Sequence, residues 1–272
     1  MRKILFALVA IAACADNSTT PPVGGDDDGG GSDTGSDDGS GSDTGGGDVS
    51  TADVQQDYDD VAAALGANLS ASELVTMVDS VNMAYGRMPA GFTVSQGPDY
   101  LHLEGTRGGL TIAYKLYCRD DADLYTVCNG LENHAHVKPT YSGSVSGATT
   151  TMDGVERTAA WIVRDLTLPT PRIGGEGSDA FASHLATGDY KLVVSDTLDH
   201  VKFASVPGAP TAGGIDLAIH VDRTREAADP AQRVFDVAAR IDFDGSDNAV
   251  VTLDGSQIYN LTISTGAVVK AP

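Results

Sequence analysis

From Leu110 onward the chain alternates apolar and polar residues with a period of two, and this constrains its fold more than any other feature of its 272 residues. Successive side chains of a strand point to opposite faces of a sheet, so strict alternation describes strands with one buried and one wet face. GLTIAYKLYC puts Leu110, Ile112, Tyr114, Leu116 and Cys118 on one face. IDLAIHV does the same with Ile215, Leu217, Ile219 and Val221, and RVFDVAARIDF with Phe235, Val237, Ala239, Ile241 and Phe243. AVVTLDGSQIYNLTI reads as two strands joined at Asp254-Gly255, a dipeptide that accepts the left-handed positions of a tight hairpin. Parallel strands covered on both faces would show continuous apolar runs instead. The expected fold is therefore mainly β: a large antiparallel sheet, sandwich or open barrel.

Before Pro89 the period is helical. Val54, Tyr58, Val61, Ala62 and Leu65 form one apolar stripe, with Gly66 as its stop. A second stripe of Leu74, Val75, Val78, Val81 and Met83 follows, capped by Ser70 or Ser72 and ended by Gly86 and Pro89. This predicts two N-terminal helices over residues 53–88, packed on a β-rich part over 90–272, in a single folded domain from 53 to 272.

Ahead of that domain, Asn17 to Ala52 is almost entirely Gly, Asp, Ser, Thr and Pro, with Val23, Val49 and Ala52 the apolar exceptions. Such a stretch cannot bury enough surface to offset its ordering entropy. The triplet Asp-Thr-Gly occurs in it twice, at Asp33 and Asp43, but the paired aspartates of a protease must be held by packed apolar strands, and neither copy has an apolar flank. The tract reads as a tether, with an end-to-end distance of about 30–36 Å for its 36 residues.

The net charge of -21 excludes some partners. Nine of the 38 acidic residues lie between Asp16 and Asp48 and two of the 17 basic ones are Arg2 and Lys3, so the domain keeps 29 acidic against 15 basic residues, about -14. Nucleic acid is not an expected partner, since phosphate backbones are held by clustered Lys and Arg. Attachment to a membrane is expected to be covalent or by insertion rather than electrostatic.

MRKILFALVAIAAC begins with Arg2 and Lys3, continues with ten apolar residues from Ile4 to Ala13, and ends at Cys14. Ten residues are too few to span a bilayer as a helix, and fit an export signal. Ile11-Ala12-Ala13-Cys14 resembles the lipobox of bacterial lipoproteins. That resemblance covers residues 1–14 alone. It implies a signal peptide over 1–13, lipidation of Cys14 as the first mature residue, and a lipidated tether over 14–52. The implied location is exported and anchored to a bacterial membrane, with Ala15 compatible with an outer membrane.

Cys118 and Cys128 then remain as a pair in an oxidising compartment and are expected to form a disulfide. The competing arrangement is a zinc site that adds His134 and His136, two imidazoles on one strand face. In DFDGSDN, Asp242, Asp244, Asp247 and Asn248 offer oxygens for calcium, against the plainer reading of a polar hairpin turn, since the glycine does not fall at the EF-hand position. Neither metal is favoured, and no cofactor is expected. Ser178, Asp179 and His184 can be assembled into a triad only on paper, and Trp161 reads as core. The expectation is thus a non-enzymatic binding or structural module whose partner is an envelope protein, glycan or small molecule. The rivals are an envelope hydrolase with scattered residues and a carrier of an apolar ligand.

Overall fold

The computed structural model describes residues 49–120, 125–132, 134–146, 150–204 and 208–272. The signal peptide, Cys14, both Asp-Thr-Gly triplets and the tether up to Asp48 lie outside the described residues.

The strands run in chain order as β1 (Thr93–Gln96), β2 (Leu101–Arg107), β3 (Leu110–Arg119), β4 (Tyr125–Thr126), β5 (His134–Ser146) and β6 (Thr151–Arg164). They continue as β7 (Arg172–Leu185), β8 (Gly188–Lys202), β9 (Ala212–Thr224), β10 (Gln232–Phe243), β11 (Asn248–Leu253), β12 (Gln257–Thr262) and β13 (Ala267–Lys270). All belong to one antiparallel meander in which each strand pairs with its neighbour in sequence, β4 alone standing aside on β3. Among the described residues all thirteen strands join this single sheet. The free edges, β1 and β13, are four residues each, which limits pairing with other chains. The Asp254-Gly255 hairpin forms as expected, with φ of 46° and 66°.

One helix of 34 residues, Thr51–Ala84, takes the place of the two expected. Ser50 caps its start by accepting the Asp53 N–H at 3.1 Å. Gly66 does not stop it. A Cβ at Gly66 would lie 2.5 Å from Val268 Cγ2 and 2.6 Å from the Gly266 carbonyl, so the glycine lets the helix backbone press against the β12–β13 turn. Ser72 does not cap a second helix either; its hydroxyl donates to the Asn68 carbonyl at 2.7 Å, where the helix passes through a π turn over Leu69–Glu73. The helix ends at Gly86, whose φ of 74° suits the left-handed residue that closes a helix.

The sheet curls around this helix. Side chains on β2, β3, β5, β6, β7, β8, β9, β10, β12 and β13 all reach it. A flat sheet of this many strands would be roughly 50 Å wide, against about 10 Å for a helix, so it could not offer them all. The apolar core, including Met77, Met83, Tyr114, Trp161 and Phe203, fills the space between helix and inner face.

Candidate functional site

Cys118 and Cys128 are bonded to each other, with their Cα atoms 5.3 Å apart. Cys118 pairs in register with Ala135, and both are buried on the inner face. His134 and His136, one residue either side of Ala135, therefore lie on the opposite face, their rings 5.1 Å apart, and the two cysteines and two histidines do not converge. Glu132 lies beside the sulfurs, but its carboxylate accepts the Asn129 N–H at 3.0 Å.

The DFDGSDN carboxylates each bond a different partner. Asp242 accepts from Arg240, Asp244 from the Ser246 N–H and hydroxyl, and Asp247 from the Ser264 N–H and hydroxyl. Asn248 begins β11 opposite Thr262. Ser178 and His184 are on the outer face of β7, six residues or about 20 Å apart, while Asp179 points inward. Trp161 is in the core.

What the inner face does bring together is a set of buried charges. The helix contributes Asp57, Asp60, Glu73 and Asp79, and the surrounding chain answers with arginine. Asp79 accepts from Arg107 and from the Tyr114 hydroxyl, each at 2.9 Å. Asp57 accepts from Arg225 and Arg233, each at 2.7 Å, and lies 3.3 Å from Arg223 Nε; Asp60 accepts from Arg225 and Tyr190.

Beside the π turn, Arg157 donates to both Glu73 and Asp196, with Nη1 2.8 Å from Asp196 Oδ1. Asp179 stands opposite Arg157 in register and accepts from Asn68 at 2.7 Å. Two carboxylates thus share one buried guanidinium, and the third, Asp179, lies in its field. Burial pushes Glu73 up to about 8, against the pull of Arg157, and Asp179 up to about 6.

None of these interior charges was expected, although strand parity marks them. Arg157 alternates with Val155, Trp161 and Val163; Asp196 with Val194 and Leu198; Arg223 with Ile219 and Val221. A charge in phase with a strand's apolar residues faces the core and requires a partner there.

The outer face concentrates much of what positive charge remains. Lys115 stands directly between His102 and Lys138 across β2, β3 and β5. Four residues further along, Arg119, His134, Arg164, Arg172 and Lys202 form one row across β3, β5, β6, β7 and β8, spanning about 19 Å. Asp165 pairs with Arg172 at 2.7 Å, and Asp120 borders Arg119. Arg164 and Lys202 have no carboxylate partner among the described residues. Tyr100 and Tyr117 lie beside these rows, under Lys115 and Lys138 at 5.7 and 5.9 Å. Like charges placed opposite each other on strands destabilise a sheet, so the arrangement is not explained by folding.

Comparison of the chain with family models, with curated proteins and with solved structures finds no match.

Proposed function

We propose that this chain is a non-enzymatic lipoprotein of the bacterial envelope: a binding or structural module anchored through acylated Cys14 and held off the membrane by the acidic tether that precedes the helix. In this reading the sheet is an open barrel plugged by its own helix, and partners meet its outer surface. The observation that carries the reading is the occupation of the concave face by the helix, clasped by arginines from strands on both sides. A carrier of apolar cargo needs that space, and here the helix and its paired charges take it, apart from an opening of about 500 Å³ beside Ala67, Ala71, Val145 and Val268. The cationic rows supply a working surface on the outside.

The test is fractionation of cells producing the full chain or Cys14→Ser, followed by native mass measurement of the detergent-extracted protein. The expected result is membrane association that Cys14→Ser abolishes, and a native mass equal to the acylated chain alone. Membrane association that persists in Cys14→Ser, or a co-purifying organic mass, would overturn the anchor or the plugged-barrel reading respectively.

A further inference from the structure

Gly174 stands in the middle of the sheet without the reasons that account for the other strand glycines. Among the described strand residues, Gly105, Gly177, Gly188 and Gly214 sit where a Cβ would lie under 3 Å from another atom, and Gly143, Gly154, Gly175 and Gly213 have positive φ. Gly174 has neither: a Cβ there would meet only the Leu198 carbonyl oxygen, at 3.6 Å, an ordinary contact. A strand glycine costs roughly 0.5–1 kcal/mol relative to alanine and often marks a bulge, as at the β7–β8 register shift here, or a place that a ligand approaches closely.

What the missing side chain leaves open is a recess of about 270 Å³ on the outer face, walled by Ile162, Arg164, Arg172 and His200. It lies where the β7–β8 register shifts between Ile173 and Gly175, an irregularity of the kind often found beside binding sites. Lys202 stands opposite Arg172 at its side. Asp165 already draws on Arg172 and Asp199 on His200, at 2.9 Å, so Arg164 and Lys202 carry the attraction.

We propose that this recess binds the phosphoryl group of a small soluble phosphate ester. A tetrahedral dianion can engage cations from β6, β7 and β8 together, whereas a carboxylate fills one guanidinium fork. Ile162 offers an apolar wall to the ester's carbon skeleton. The domain's surrounding negative charge repels extended polyanions and anionic membranes, which favours a compact ligand. The proposal rests on the reading of the outer face as the working surface and is independent of the lipid anchor.

The test is calorimetric titration of the full-length chain at low ionic strength with inorganic phosphate, glucose 1-phosphate and neutral glucose. The expected result is saturable one-to-one binding of both anions, weakened by added salt, and none of glucose. Gly174→Leu fills the recess and lowers affinity at least tenfold with an unchanged circular dichroism spectrum. Arg164→Ala and Lys202→Ala, both exposed, each lower it severalfold, and Lys191→Ala elsewhere on β8 leaves it unchanged. Absence of saturable binding, or wild-type affinity in both Gly174→Leu and Arg164→Ala, would overturn the proposal. Binding to phosphatidylglycerol vesicles that glucose 1-phosphate does not displace would reassign the patch to a lipid surface. A failed anchoring experiment would leave these titrations unaffected.

Discussion

The two faces of the sheet use arginine in opposite ways. Inside, Arg157, Arg223 and Arg225 are buried, and each lies against carboxylates of the helix. Outside, Arg164 stands exposed in a row of like charges with no carboxylate of its own. A desolvated charge is tolerable only when paired, so the inner arginines fix where the helix lies. An exposed charge needs no partner for stability, so the outer ones are left to attract a ligand.

The comparison breaks most visibly at Arg157. Arg157→Ala leaves Glu73 and Asp196 without their shared cation and is expected to destabilise the domain by about 3–5 kcal/mol, measured by urea unfolding. A loss under 1 kcal/mol would mean that the charges do not hold the helix. Gly66→Val, which drives a branched side chain into Val268 and the Gly266 carbonyl, is expected to cost about 1–3 kcal/mol by the same measurement. An unchanged midpoint would show that the helix does not press on that turn.

The interior cluster also predicts a pH dependence. Glu73 moves from an ordinary value of 4.5 to about 8 on folding, so between those values the folded state holds more protons than the unfolded one. Its contribution is full below about pH 4.5 and is lost as pH rises through about 8, with a slope of at most about 1.4 kcal/mol per pH unit. Glu73→Gln removes this fall, leaving the lower window in which Asp179 titrates toward about 6. Parallel stability–pH curves for the two proteins would refute the assignment. The smallest effect belongs to the outer face, where Arg164→Ala is expected to change stability by no more than about 0.5 kcal/mol while weakening phosphate binding. Chemical denaturation beside calorimetry separates the two.

Alternation made the strands legible because a sheet with one buried face imposes its period on every residue. The pairing of Cys118 with Cys128 was legible from residue counting, as the even pair that remains beside Cys14. Helix continuity was misread at Gly66 and Ser72 because local stop and cap signals describe an isolated helix. In the folded chain Gly66 is explained by its contact with Val268 and Ser72 by its bonds to Asn68. The aspartates at 57, 60 and 79 were equally misleading, since an acidic residue on a lone helix belongs in water. Composition likewise averaged the cations into a strongly acidic total, and hid that six of them, with histidines between, share one face.

The sequence by itself determined the antiparallel class and the disulfide pair, because each depends on local periodicity or counting. Only the tertiary structure decided that the helix runs unbroken through the sheet's concave side, which buried charges meet, and that Arg164, Arg172 and Lys202 line up beside an unfilled glycine. Those facts depend on strand register and sheet curvature, which bring together residues as far apart as Asp57 and Arg233 and which no local pattern encodes.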